Sequence, residues 1–146
     1  MAKPKIFFDS SVLLAALLSP RGGSFYILNE LGTAFEFYIN EYVLEEVLRV
    51  LDQKFQMRPN LKNELLLLLG LTDVKILPQP SPENIDRVSE YINKKDAPIL
   101  AGALGTSDYL LSLDNDFFSS ELMHFARTRG LTIVKPQMFL EEIRNV

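Results

Sequence analysis

The sequence predicts an α/β protein, a three-layer α/β/α sandwich around a mostly parallel central sheet of about five strands. Short continuous apolar runs, such as Ile6-Phe7-Phe8, alternate along the chain with longer segments of helical period, which is typical of strands joined by helices. Short Pro, Gly and Asn turns separate these segments, and no long linker divides them. We therefore expect residues 1–146 to form a single domain.

The individual elements follow from these runs and from the start and stop signals of helices. Five strands are predicted, over residues 6–9, 35–39, 74–77, 109–113 and 131–134. Eight helices are predicted, over residues 12–18, 25–31, 41–55, 61–69, 83–93, 97–105, 121–129 and 136–144. Asn40, Asn60 and Asp96 each precede one of these helices and are its predicted N-cap.

Composition limits the class of protein and its compartment. The chain has 47% hydrophobic residues, 23% charged residues and no cysteine, which is ordinary for a soluble globular protein and excludes thiol catalysis and cysteine-based zinc sites. The longest apolar run, Leu65 to Leu69, is too short to span a membrane, and no signal peptide opens the chain. We expect a cytoplasmic protein without a membrane partner.

The net charge of −4 argues at first against a nucleic-acid partner. If five acidic residues bind metal, however, 14 acidic residues remain against 15 basic ones, a balance of +1. Net charge alone therefore neither supports nor excludes a nucleic-acid partner.

Acidic side chains are predicted to gather at one edge of the sheet. Asp9 ends the first strand, Asp114 and Asp116 follow the fourth, and Asp96 begins the helix that leads to it. Ligands of open α/β sheets bind at this edge, beyond the carboxyl ends of the strands. A single Asp in such a place is usually a helix cap or a turn residue, but several together repel one another unless a cation neutralises them. Oxygen ligands of this kind suit Mg²⁺ or Mn²⁺.

A glutamate of the third helix is the remaining candidate. Glu45 and Glu46 flank the apolar arc of that helix on opposite sides. Periodicity does not choose between them.

Four segments then carry a family resemblance, in the order FFDSSVLLAALL, NEYVLEEVLRVLDQKF, KDAPILAGAL and SDYLLSLDNDFF. Together they resemble the PIN-domain nuclease family, which includes VapC-like and PilT N-terminal-like proteins. In that family an Asp after strand one, a Glu on a helix, an Asp opening a later helix and an Asp after strand four form an acidic metal site. The resemblance spans nearly the whole chain.

Carried over by position, the resemblance implies a catalytic set of Asp9, Glu46, Asp96, Asp114 and Asp116, of which the four aspartates are metal ligands. It favours Glu46 over Glu45 because the family's Glu tends to precede a Val-Leu pair at the spacing found here. Supporting positions are Ser10, Ser11 and Ser112. Two departures are Ser11, where Asn is common, and Leu113, which replaces a frequent Gly.

The function that the resemblance implies is an endoribonuclease using one or two Mg²⁺ or Mn²⁺ ions. It would hydrolyse phosphodiester bonds of single-stranded RNA, leaving 5′-phosphate and 3′-hydroxyl ends, and metal-activated water makes a protein nucleophile unnecessary. Many relatives are toxins of toxin–antitoxin pairs, so an antitoxin protein is the implied partner.

Several other residues have two interpretations. Basic residues expected near the mouth of the site are Arg21, Lys54, Arg58, Lys94 and Lys95, which would hold RNA phosphates or would simply be solvated. Phe117, Phe118 and Tyr42 would stack an unpaired base or pack in the core. His124 is expected at the surface without a catalytic role. The leucine-rich helix 61–69 would be buried in the core, or it would form a homodimer face or an antitoxin surface.

Three rival functions are considered. A haloacid-dehalogenase-type phosphatase would need a second Asp two residues after Asp9, where Ser11 stands. A phosphoacceptor receiver domain would need paired acids at the first strand. A catalytically degenerate PIN scaffold would bind RNA or a protein partner without cleavage, and the four principal acids disfavour it.

Overall fold

The computed structural model describes residues 2–144. Its strands are β1 (Lys5–Phe8), β2 (Glu36–Asn40), β3 (Lys75–Leu77), β4 (Tyr109–Leu111) and β5 (Thr132–Val134). Its α-helices are α1 (Ser10–Leu18), α2 (Gly23–Glu30), α3 (Glu41–Lys54), α4 (Leu61–Leu71), α5 (Pro82–Val88), α6 (Ala97–Leu104), α7 (Ser120–Thr128) and α8 (Pro136–Arg144). A short 3₁₀ helix, Asn115–Phe117, follows β4.

The five strands form one parallel sheet in the order β3-β2-β1-β4-β5. In the central strand β1, Phe7 pairs with Tyr38 of β2 on one side and with Leu110 of β4 on the other. The side chains of Ile6, Phe7 and Phe8 are fully buried because helices cover both faces. The predicted fold class is confirmed.

The chain reverses direction across the sheet between β1 and β4. The first three strands progress outward on one side of β1, and β4 and β5 lie on its other side. Right-handed crossovers therefore place α1 to α4 on one face and α5 to α7 on the other, in agreement with the contacts of α1 with α2, α3 and α4 and of α5 with α6. The junction of β1 and β4 is the topological switch point, where open α/β sheets bind their ligands.

Three local predictions were wrong: the end of the helix predicted over 83–93, and the side-chain N-caps Asn60 and Asp96. The helix predicted over 83–93 ends at Val88, because the Ser89 backbone N–H and hydroxyl both donate to the Asp86 carbonyl and close the helix there. Asn60 makes no side-chain capping bond, because its own backbone is already helical and the side chain cannot reach back to the first turn. Asn40, by contrast, accepts the Val43 N–H and caps α3 as predicted.

Within residues 2–144, no single helix has the length and hydropathy needed to span a membrane. The helices α1 and α2 reach those limits only together, as a pair bent by 92°.

Candidate metal and nucleic-acid site

The candidate site begins where the carboxyl ends of β1 and β4 meet. The Asp9 N–H donates to the Leu111 carbonyl, 3.0 Å away, so the two strands stay paired to the last residue. Immediately beyond, the Leu113 N–H donates to Ser11 Oγ at 3.0 Å. The ends of the two strands are therefore held together by both main-chain and hydroxyl contacts.

Asp9 is the buried centre of this junction. Its Oδ1 accepts the Ser10 N–H at 2.8 Å, which makes it the N-cap of α1, and its Oδ2 accepts the hydroxyls of Ser11 and Ser112, each at 2.7 Å. Burial raises the pKa of Asp9, the two hydroxyl bonds oppose the rise, and the Glu46 carboxylate adds to it. Asp9 therefore caps α1 with one carboxylate oxygen and contacts the serines of the candidate site with the other.

Glu46 enters the site from α3. It lies on the buried face of that helix with Val43, Val47 and Leu51, and only 5% of it is exposed. The Ser10 hydroxyl donates to Glu46 Oε1, whereas Glu46 Oε2 is buried without any hydrogen-bond partner among the described residues. A buried carboxylate oxygen left in this state is costly unless a cation or a bound molecule satisfies it.

Glu45 lies elsewhere. Its side chain is exposed and faces Gln79 Nε2, 3.4 Å from both carboxylate oxygens. The structure therefore places Glu46, and not Glu45, with the other acids.

Asp96 is 4% exposed and is freed from the capping role that the sequence predicts for it. Its side chain makes no bond to the first turn of α6, because its backbone is helical. The side chain of Asn93 holds Asp96 instead. Its Oδ1 accepts the Asp96 N–H at 3.0 Å. Its Nδ2 donates to Oδ2 of Asp96 at 3.0 Å and to Oδ2 of Asp116 at 3.2 Å. One amide thus joins two acids that are 20 residues apart in sequence.

The outer acids converge on one point. One carboxylate oxygen from each of Asp96, Asp114 and Asp116 lies within 4.8 Å of the other two. Oxygens bound to one Mg²⁺ at about 2.1 Å are at most about 4.2 Å apart, so any pair near the upper limit of this spacing would have to move closer together to share an ion. The Ser112 hydroxyl links this group to the inner one, since it donates to Asp9 and accepts the Asp114 N–H at 3.0 Å.

Burial and mutual repulsion dominate the electrostatics of these acids. Burial raises the pKa of Asp96 to about 6, and the carboxylates of Asp114, Asp9 and Glu46 add to the rise, although the Asn93 amide opposes it. In residues 2–144 the ion pairs are those of Lys62 with Asp52 and of Lys75 with Glu36, so no lysine or arginine neutralises the cluster at ion-pair distance.

A cleft of about 350 Å³ opens onto these acids. Its lining includes Asp9, Glu46, Asp96 and Asp114, and its outer wall carries Arg49, Gln53, Lys54 and Lys95. Two of these three cations, Lys54 and Lys95, were predicted near the mouth. Arg49 was missed, although it lies three residues after Glu46 and therefore on the same side of α3.

Other predicted binding residues are placed differently. Arg58 lines a separate cavity with Leu51 and Phe55. Phe117 is fully buried in the core and cannot stack a base. The Tyr42 hydroxyl donates to the Lys95 carbonyl at 2.6 Å, which fixes the loop before Asp96 against α3. His124 is exposed, as predicted.

The sequence profile of the PIN domain matches residues 6–120. No curated protein matches the chain significantly. A chain of the VapBC2 complex from Rickettsia felis, solved with a DNA fragment from its promoter, has a TM-score of 0.65 and 15% identity, and the match covers 90% of this chain and 98% of that one.

Two further solved structures share the fold. For PAE2754 from Pyrobaculum aerophilum the TM-score is 0.66 with 18% identity, covering 99% of this chain and 100% of that one. For FitAcB from Neisseria gonorrhoeae the TM-score is 0.61 with 19% identity, covering 90% and 98%. Because the profile match includes β1 to β4 and the acids that follow them, the chain belongs to the PIN domain family.

Proposed function

We propose that the protein is an endoribonuclease that uses Mg²⁺ or Mn²⁺ to hydrolyse phosphodiester bonds of single-stranded RNA, and that it is the toxin of a toxin–antitoxin pair. The PIN domain is a nuclease family, which gives the general activity. The metal, the RNA substrate, the cytoplasmic location and the action of residues 1–146 as one unit are our proposals.

The observation that carries the proposal is Glu46 Oε2, which is buried without a hydrogen-bond partner among the described residues and lies in a cleft lined by aspartates. A buried acceptor of this kind fits an oxygen-binding divalent cation. The raised pKa of Asp96 agrees, because burial and then the neighbouring carboxylates disfavour its charged form, and a bound cation would offset both.

We assign the residues of the cleft as follows. Asp9, Asp96, Asp114 and Asp116 would hold one or two ions, and Glu46 would bind the second ion or orient the attacking water. The bound metal would polarise the scissile phosphate and lower the pKa of water. The chain's own contribution is orientation, because Ser11 and Ser112 hold Asp9 and Ser10 holds Glu46.

The direct test is Mg²⁺-dependent cleavage of an unstructured RNA, followed by gel analysis of the product ends. We expect 5′-phosphate and 3′-hydroxyl products from the wild type and no cleavage by Asp9→Asn or Asp114→Asn. Asp73→Asn is the matched control, since Asp73 is exposed on the turn after α4. Thermal unfolding checks that each variant is folded. Cleavage by the two site variants at the wild-type rate would refute the assignment.

The surface of α4 supports a partner protein. Leu61, Leu65 and Leu69 of this helix are buried in the core, which accounts for three of its seven leucines. On its other side Leu66, Leu67 and Leu71 are 54%, 61% and 76% exposed. Adjacent exposed leucines mark interaction surfaces, and we propose that a second copy of the chain covers them. Static light scattering at low concentration tests this homodimer, and a strict monomer would exclude it.

A further inference from the structure

The outer wall of the cleft carries positive charge that the fold itself does not use. Arg49 and Lys54 lie on α3, and Lys95 lies on the loop before α6; all three are exposed, and all three line the cleft that contains the acids. Within the described residues none of them makes an ion pair with a carboxylate. Cations placed beside an acidic cluster but not paired with it remain available to a bound anion.

The arrangement on α3 is directional. Glu46, Arg49 and Gln53 are spaced by three and four residues, so they form one row along the side of the helix. Lys54 follows Gln53 directly and lies about 100° around the helix from it, so Arg49 and Lys54 lie on the two sides of Glu46. Lys54 is about 12 Å further along the axis than Glu46, so the cations extend from the buried acid toward the end of α3.

The Lys95 loop is fixed to the same helix. The Tyr42 hydroxyl, on the first turn of α3, donates to the Lys95 carbonyl at 2.6 Å. This bond ties the Lys95 loop to the helix that carries Arg49 and Lys54. The backbone positions of all three cations are therefore held by α3.

We propose that these three cations, Arg49, Lys54 and Lys95, form the track that holds the phosphates of single-stranded RNA next to the scissile bond. The inference rests on the proposed ribonuclease function, which it deepens by naming where the strand lies. A polyanion with regularly spaced charges matches separated, unpaired cations along one cleft, and the exposed Gln53 amide adds a neutral donor on the same helix. These residues bind the substrate backbone and position it, and the acids carry the chemistry.

The test measures binding separately from cleavage. A short fluorescein-labelled oligouridylate is titrated in Ca²⁺, with a gel to verify that the probe stays intact, over a range of salt concentrations. Each lost phosphate contact lowers the slope of log K against log salt by about 0.7, which corresponds to about fivefold weaker binding near 0.1 M salt. We expect this loss for Arg49→Ala and for Lys54→Ala, and about 25-fold weaker binding for the double variant.

Lys3→Ala is the control, because it removes the same charge from the exposed segment before β1, at the other end of the strands. In cleavage assays the Arg49 and Lys54 variants should raise KM by the same factors and leave kcat within about twofold. Thermal unfolding should be unchanged in all of them.

The outcomes separate the two proposals. If the wild type cleaves RNA but the Arg49 and Lys54 variants bind and cleave like Lys3→Ala, the proposed phosphate track is refuted and the proposed nuclease activity is supported. If no RNA is cleaved but the Arg49 and Lys54 variants still bind oligouridylate more weakly and with the predicted smaller salt slope, the phosphate track is supported and the nuclease activity is refuted. If poly-glutamate binds with the same dependence on these residues and RNA does not, the occupant is an acidic protein segment and the track for RNA is refuted.

Discussion

Replacing Asp96 by Asn should make the metal-free protein more stable, although it removes a proposed ligand. Asp96 is 4% exposed, and burial and neighbouring carboxylates raise its pKa from 3.8 to about 6. The folded protein therefore binds a proton at Asp96 more tightly than the unfolded chain does. The contribution of Asp96 to the free energy of unfolding is fully present below pH 3.8 and is lost as the pH rises through about 6. Asparagine does not ionise, so the variant avoids the cost of burying a charged carboxylate at high pH.

The expected gain in stability of Asp96→Asn follows from the size of the pKa shift of Asp96. A rise from 3.8 to about 6 corresponds to at most about 3 kcal/mol, and water in the open cleft screens the carboxylates from one another. We therefore expect Asp96→Asn to gain about 1–3 kcal/mol above pH 7. The Tm should rise by roughly 3 °C for each kcal/mol in a chain of this size. Near pH 4 the wild type and the variant should be equally stable.

The assay is thermal unfolding in EDTA from pH 4 to pH 8, with Asp86→Asn on the exposed face of α5 as the control. Adding Mn²⁺ should then reverse the order, because only the wild type gains the binding energy. A variant that is less stable than the wild type at pH 7.5, or a difference that does not change with pH, would refute the electrostatic argument.

Three further substitutions test the supports of the site. Ser112→Ala removes a donor to Asp9 and the acceptor of the Asp114 N–H, and urea unfolding should show a loss of about 1–3 kcal/mol. Asn93→Ala releases two of the acids, and calorimetry should show about tenfold weaker Mn²⁺ binding; an unchanged Kd would contradict the bridging role. Gly102→Ala would bring a Cβ within 2.6 Å of the buried Asn40 amide and should cost about 1–3 kcal/mol; a Tm at or above the wild-type value would contradict this packing.

The sheet was predictable because its strands are either apolar runs or alternating segments between clear turns. The strand ends could be placed to within two residues, the largest error being the fourth strand, predicted to residue 113 and ending at Leu111, and this sufficed to locate the acids that follow β1 and β4. Those positions depend on local sequence and on the rule that parallel strands share one carboxyl edge.

Helical periodicity could not choose between Glu45 and Glu46, although the family resemblance favoured Glu46. Both flank the same apolar arc of α3, and only the packing of α3 against α1 places Glu46 beside the Ser10 hydroxyl. The helical pattern itself is the same for both residues.

Asn93 could not be found from the sequence. The prediction made it the last residue of a helix, whereas α5 ends at Val88 and leaves Asn93 in the turn before Asp96. Its amide matters because it contacts Asp116, and that contact depends on how β4 and the 3₁₀ turn lie against α6. A side-chain bond of this type carries no periodic signal.

The central claim is that these acids bind a divalent cation, and Mn²⁺ titration by calorimetry tests it most directly. We expect the wild type to bind Mn²⁺, Glu45→Gln to bind it equally well, and Glu46→Gln to bind it at least about tenfold more weakly. The two variants remove the same charge from adjacent residues of one helix. A wild-type protein that binds no Mn²⁺, or equal binding by both variants, would contradict the account.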